Sequence, residues 1–196
     1  MYIRFFKRFF DCLLSGAAII LLSPLLLILA VLVKLDSKGP VLFKQKRVGK
    51  DKSHFYILKF RTMYADTPRD MPTHMLGNAQ SHITRVGKFL RLSSLDELPQ
   101  LFNIFVGQMS IVGPRPALWN QFDLIEERDK YGVNSLVPGL TGYAQINGRD
   151  EIPIELKAKL DGWYAEHIGF LTDVKIIFGT VAAVFTHKGI VEGKQK

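Results

Sequence analysis

The sequence predicts an α+β fold, mostly α, in which a small β-hairpin and several amphipathic helices are attached to an apolar N-terminal helix. Three observations point there. Residues 12–33 carry no charge, with Asp11 and Lys34 as the nearest ionisable groups. Two short runs rich in Phe, Tyr, Val and Ile, PVLFKQKRVG and HFYILKFRTM, flank the turn-like GKDKS. Beyond residue 83 the apolar residues recur at spacings of three and four.

The charge-free run sets the first constraint. As one helix at about 1.5 Å per residue it would extend roughly 33 Å, enough to cross a bilayer. It leads into KLDSKGP with no small-residue cleavage pattern, which excludes a secretory signal. Both flanks are basic, with Arg4, Lys7 and Arg8 before the run and Lys34, Lys38, Lys44, Lys46 and Arg47 after it. The positive-inside tendency puts such residues on the cytoplasmic side, so both ends can share one face. Ser23-Pro24 lies at the midpoint, where proline removes a helical hydrogen bond and the serine hydroxyl can satisfy the freed carbonyl. On hydropathy alone, a kinked spanning helix and a helix that bends back to its own face both stay open.

Composition narrows the function classes. The 196 residues suffice for one catalytic unit, and 47% are hydrophobic without the repeated long runs of a polytopic membrane protein. The net charge of +8 suits an anionic partner. Its clustering around the apolar run favours acidic lipid over a nucleic-acid groove, and no nucleic acid is expected. Cys12 is the single cysteine, which excludes an intrachain disulfide and a thiolate metal cluster. His54, His74, His82, His167 and His187 show no metal-ligand spacing.

Along the soluble part, residues 66–82 are polar, carry two prolines and read as a long loop, either a lid or plain disorder. Residues 83–109 read as helical, with Leu95, Leu98, Leu101, Phe102 and Phe105 on one face, buried in protein or in the membrane interface. A second helix is expected over 116–130, turns at Gly139, Gly142 and Gly148, and a third helix over 154–167. Val174, Ile177, Phe178, Val181 and Phe185 form a final apolar stripe suited to a core or to the headgroup plane.

Chemistry concentrates in RLSSLDELPQLFNIF. Asp96 and Glu97 stand where a helix should begin, and Ser94 with Glu97 matches a capping box. With Asp96 as the cap instead, Pro99 falls in the first turn, where no helical N–H is lost. On either reading a helix dipole favours the ionised aspartate and attracts phosphate. A carboxylate so held can attack phosphorus, with a divalent cation to reduce the repulsion between anions. Lys59, Arg61, Arg85, Lys88, Arg91, Arg115 and Arg149 could converge on a diphosphate; for each alone, a solvated surface cation is the simpler account. Arg115 stands apart because Pro114 and Pro116 hold it in a rigid turn.

Taken together, KRFFD, Ser23-Pro24, GPVLFKQKRVG, KFRTM, LRLSSLDELPQLFN, GQMSIVGPRP and PGLTGYAQINGRD occur in order over nearly the whole chain. In these motifs the chain resembles the monotopic phosphoglycosyl transferases, or bacterial sugar transferases. The resemblance implies a re-entrant membrane helix broken at Ser23-Pro24, an anchor over residues 1–36 and a cytoplasmic catalytic domain over 37–196. It implies a bacterial inner-membrane enzyme with a UDP-sugar donor and a polyprenyl (undecaprenyl) phosphate acceptor, initiating assembly of a glycoconjugate. The reaction would be ping-pong: Asp96 attacks the β-phosphate, UMP leaves, and the acceptor takes the sugar phosphate from the enzyme. Glu97 would complete the dyad, and both carboxylates would hold Mg²⁺. Lys59, Arg91 and Arg115 match basic positions expected to face phosphate; Arg61, Gln145 and Arg149 lie in matching motifs and are expected at the substrate, with Asp161 as a further acidic position. Tyr143 stands where many relatives have tryptophan, an aromatic-for-aromatic change. Larger relatives add polytopic N-terminal segments, and this chain is expected to be the minimal catalytic unit. Membrane lipid is an expected partner, and a homodimer is left open. The rivals are a direct glycosyl transferase releasing UDP and a non-catalytic single-span scaffold.

Overall fold

The apolar run forms most of α1 (Lys7–Asp36), 30 residues long and continuous through Pro24. A computed structural model describes residues 2–68, 79–148 and 152–185. Pro24 cannot supply the N–H that would bond Ile20, and the Ser23 hydroxyl donates to that carbonyl instead, at 2.8 Å. The helix therefore carries the proline without ending there. By length and composition α1 is the one described helix able to cross a membrane.

One side of α1 packs along the rest of the protein from end to end. Near its start, the Arg8 guanidinium donates to the Ile104 and Phe105 carbonyls at 2.6 and 2.7 Å, and Lys7 pairs with Asp173 at 2.6 Å. Asp11, buried, accepts from the Ile111 backbone N–H at 2.9 Å. In the middle, Ala18, Ile19 and Leu22 lie on a core of Phe55, Ile57, Leu101, Ile104 and Met109. At the far end, Leu29 and Val33 are buried with Phe60 and Leu90. The opposite side exposes Ile20, Leu21, Leu27 and Leu35. Such a continuous exposed apolar surface asks for lipid or another apolar cover.

The expected hairpin is present as β1 (Leu42–Val48) and β2 (His54–Phe60), antiparallel in a register that sets Leu42 opposite Phe60 and Val48 opposite His54. Within the connecting turn Asp51 and Lys52 adopt φ of 52° and 60°. Its inner side, Phe55 and Ile57, joins the core shared with α1.

Residues 83–109 are not one helical stretch. They divide into α2 (Arg85–Leu92), a 3₁₀ turn at Leu95–Glu97 and α3 (Gln100–Phe105). Thr84 caps α2 by accepting from the Gly87 N–H at 3.0 Å. Ser94, at φ 57°, turns the chain left-handed and makes no side-chain cap, so neither the Ser94–Glu97 capping box nor an Asp96 cap forms. The expected apolar face divides between the core and the surface. Leu101 and Ile104 are buried, whereas Phe102 and Phe105 lie in the open with Phe89, Leu92 and Val106.

In the second half, Gly139 begins a strand rather than a turn: β3 (Ser110–Val112) and β4 (Gly139–Thr141) pair in parallel. Close approach explains the glycine, since a Cβ at Gly139 would lie 2.1 Å from the Gly113 nitrogen. The helix expected from residue 116 starts later, as α4 (Phe122–Asp129). A helical turn, α5 (Tyr143–Ile146), follows β4, and α6 (Ile154–Glu166) and α7 (Phe170–Phe185) complete the described chain. On α7 Ile176 is buried beside Val112 and Tyr164, while Phe178 and Val181 are exposed. The expected turn at Gly148 ends a described segment, and most of the 66–82 loop lies outside the described residues.

Gly87 locks α2 against the strand exit, because a Cβ there would sit 2.0 Å from the Thr62 carbonyl oxygen. Gly87→Ala is therefore expected to destabilise the protein by about 1–3 kcal/mol despite its better helix propensity, measured as a lower Tm in detergent.

Candidate active site

The 3₁₀ turn carries Asp96 and Glu97 to the end of β2, where Lys59 meets them. Lys59 Nζ is 2.6 Å from Glu97 Oε1 and 4.0 Å from Asp96 Oδ2. From the rigid turn after β3, Arg115 Nη2 reaches the same Glu97 oxygen at 2.9 Å. Arg91, in the last turn of α2, is oriented by a hydrogen bond from its Nε to Thr62 Oγ1 at 3.1 Å. Three cations from three elements thus surround two adjacent carboxylates.

The two acids do different electrostatic work. Burial pushes both up. At Glu97 the Arg115 and Lys59 charges and hydrogen bonds overcome that effect and hold the carboxyl well below its usual range. At Asp96 burial prevails: the nearby Lys59, Arg91 and Arg115 lower the pKa and Glu97 raises it, and the net direction is upward. The turn that bears Asp96 runs through Leu98 and Pro99, both with helical φ and ψ, directly into α3. Asp96 is 9% exposed, and among the described residues no hydrogen bond reaches its carboxylate. It borders a cavity of about 330 Å³, lined also by Phe43, Lys59, Tyr64, Thr67 and Arg91. That volume falls within the range of small-molecule sites.

Other expected site residues engage partners of their own. Arg61 also borders the cavity but is buried, and its guanidinium donates to the Val33, Ser37 and Lys38 carbonyls at the end of α1. It ties the end of α1 to β2. Asp161, 1% exposed, accepts from Arg128 Nε and Nη2 at 3.0 and 2.6 Å between α4 and α6. Gln145 donates to the Leu140 carbonyl at 3.1 Å, and its buried Oε1 has no partner. Arg85 and Lys88 face solvent, and Arg149 lies outside the described residues. Thr62, which steers Arg91, was missed by the motif reading although it sits inside KFRTM. Thr67, whose buried hydroxyl has no partner in the cavity wall, had no signal beyond its place in a polar loop.

Among the described residues no third acidic, histidine or cysteine side chain joins Asp96 and Glu97 to make a larger metal-binding group. Two carboxylates still fit Mg²⁺, which commonly takes one or two of them and completes its shell with water and substrate phosphates. The uncommitted Asp96 oxygens are suitable donors.

A carboxylate dyad faced by cations, with Asp96, Lys59 and Arg91 on the wall of one cavity, has the electrostatics of a site for an anionic substrate. Residues 2–187 match the family described as bacterial sugar transferase, and the chain belongs to that family. It is similar to the exopolysaccharide production protein ExoY of Sinorhizobium fredii, 36% identical over 93% of this chain and 87% of that protein. It is 41% identical to the UDP-glucose:undecaprenyl-phosphate glucose-1-phosphate transferase of Klebsiella pneumoniae, covering 93% of this chain and 41% of the relative. The UDP-N-acetylgalactosamine-undecaprenyl-phosphate N-acetylgalactosaminephosphotransferase of Aeromonas hydrophila is 39% identical over 94% of this chain and 45% of its own length. The protein is a transferase, and the non-catalytic scaffold is set aside.

Three outcomes follow from this geometry. If the attacking form is the Asp96 carboxylate, kcat/KM should fall as pH drops through a midpoint above the ordinary aspartate value of about 3.9. Lys59→Met removes the cation that most lowers Asp96, so the acid limb should move to still higher pH. Asp161→Asn weakens a buried ion pair, and its Tm should fall by an amount corresponding to about 3–5 kcal/mol, with activity lost in step with unfolding.

Proposed function

We propose that this transferase moves a sugar 1-phosphate from a UDP-sugar to undecaprenyl phosphate and releases UMP, through a phosphosugar ester of Asp96. The observation that carries the reading is the uncommitted Asp96 carboxylate at the cavity wall, beside a Glu97 already neutralised by Lys59 and Arg115. An Asp96 oxygen forms a bond to the β-phosphorus, and the bond from that phosphorus to the bridging oxygen breaks. UMP departs with the electron pair. An oxygen of the acceptor phosphate then attacks the same phosphorus and Asp96 leaves as the carboxylate. Arg91 and Arg115 bind and orient the diphosphate, and Lys59 keeps Glu97 and Asp96 in place. Mg²⁺ held by Asp96 and Glu97 would supply charge neutralisation between the nucleophile and the substrate. The donor and acceptor classes are supported by the names of the Klebsiella and Aeromonas relatives.

The acceptor is a lipid, which gives α1 its purpose. Its two ends are fastened to one body, by Arg8, Asp11 and Lys7 at the start and by Arg61 at the exit. A helix tied in this way favours a re-entrant anchor whose exposed side lies in one leaflet, with the catalytic domain on the cytoplasmic face of a bacterial inner membrane. Phe89, Leu92, Phe102, Phe105 and Val106 would rest in the same interface.

With undecaprenyl phosphate in vesicles and UDP-glucose or UDP-N-acetylgalactosamine as donor, the parent should release UMP in a Mg²⁺-dependent reaction, and Asp96→Asn should release none. UDP as the product would point to direct glycosyl transfer. Incubation with donor alone should add one sugar phosphate to the intact mass, and an active enzyme that never shows the adduct would refute the covalent step. In a Cys12→Ser background, cysteines at positions 3 and 38 should both be protected from an impermeant reagent in intact cells. Periplasmic labelling of either would exclude the re-entrant topology.

A further inference from the structure

Among the described residues β2 pairs with β1 alone, so one of its edges has no strand beside it. N–H and C=O groups on such an edge need partners wherever water is kept out. There the Leu58 N–H donates to Asn103 Oδ1 at 3.0 Å, and Asn103 Nδ2 donates to the Tyr56 carbonyl at 2.9 Å. One side-chain amide thus takes both backbone groups that a neighbouring strand would take. Its second amide hydrogen goes to Gln108 Oε1 at 2.7 Å. Asn103 is 2% exposed, and its own carbonyl accepts from the Gln108 and Met109 N–H groups at 2.9 and 3.1 Å.

The two segments that Asn103 joins are those that carry the acidic pair and its lysine. Lys59 follows Leu58 directly, and its Nζ lies 2.6 Å from Glu97 and 4.0 Å from Asp96. On the other side, the turn at Leu95–Glu97 leads through Leu98 and Pro99 into α3, which bears Asn103. The strand and the helical segment are therefore fastened twice, by Lys59 to Glu97 and by Asn103 to Leu58 and Tyr56. The ionic tie alone leaves their register loose, because a flexible four-carbon lysine stem can follow a shift of the strand. The amide is short and grips backbone, so it fixes where the strand sits along α3. A leucine in its place would leave the Leu58 N–H and the Tyr56 carbonyl unpaired, and an ionised aspartate would have no hydrogen to donate.

We propose that Asn103 is a positioning residue for the transfer reaction: it sets the register of β2 against α3 and thereby holds the Lys59 ammonium at the Asp96–Glu97 pair. The inference rests on the reading of that pair as the reacting site. Asn103 takes no proton and forms no bond to substrate; among the described residues it is not part of the cavity wall, and it acts through Lys59. Through Gln108 the same amide also meets the segment that leads by β3 to Arg115, the second cation on Glu97.

A double-mutant cycle on kcat for UMP release tests this, with Asn103→Ala and Lys59→Met made singly and together. The donor is whichever of UDP-glucose and UDP-N-acetylgalactosamine the parent turns over, and each rate is expressed per folded molecule, counted by gel filtration in detergent. Asn103→Ala should lower kcat by about fivefold or more while KM for the donor stays within about twofold of the parent. In the Lys59→Met background the same substitution should change kcat by less than about twofold, because the lysine it acts through is gone. An ordinary packing role would lower Tm and leave kcat per folded molecule at the parental value, or would multiply the two losses; either result overturns the proposal. So does a parental kcat in Lys59→Met. Gln108→Met removes the acceptor of the second amide hydrogen and gives a milder form of the same cycle, which decides alone if Asn103→Ala yields no folded protein. A loss of kcat seen only where Lys59 is present supports the proposal there, and any other result overturns it. Asp96→Asn run alongside separates the two readings: full turnover there defeats the covalent mechanism, whereas an inactive Asp96→Asn with independent losses in the cycle defeats only this inference.

Discussion

The carboxylate of Glu97 is the hub on which the site's geometry depends. It receives Lys59 from the hairpin and Arg115 from the turn beyond β3, and so draws two remote segments of chain onto the 3₁₀ turn that bears it. Charge-assisted bonds of this type are the stronger ones, and here they are partly shielded from water. Because Glu97 absorbs that positive charge, its neighbour keeps a carboxylate with no hydrogen bond from the described residues. The division of labour between two identical functional groups comes from surroundings rather than from chemistry.

The same logic of polar ties governs the membrane helix. Arg8 and Arg61 each satisfy carbonyls at a helix end, Arg8 at the end of α3 and Arg61 at the end of α1. Cations at helix C-termini suit both the open carbonyls and the local dipole. Arg61 therefore acts two residues beyond Lys59 in a wholly different capacity, and one KFRTM motif serves the active site and the anchor together.

Periodicity made the regular elements readable. The hairpin, α6 and α7 stand close to where alternation and the three-four spacing put them. What escaped was decided by contacts between distant residues. Gly139 reads as a turn until Gly113 lies against it, and the parallel pair with β3 cannot be inferred from a three-residue strand. Phe102 and Phe105 share the spacing of Leu101, but spacing does not separate a residue covered by protein from one on an exposed apolar surface, where both lie. At the site, motif order singled out Asp96, Glu97, Lys59, Arg91 and Arg115, which meet. It could not separate them from Arg61 or Asp161, because a lone cation or acid gives no sign of whether its partner is a substrate or another side chain.

Asp11 has a bearing on how the protein is made. Its backbone partner lies 100 residues further along the chain, and the partner of Lys7 lies 166 residues away. A ribosome extrudes the apolar helix long before either exists. Until then the anchor has an unfastened acidic group near its start, and its final seat against the domain is a late event in biogenesis. Synthesis thus imposes an order in which the apolar helix is complete first and its docked arrangement follows.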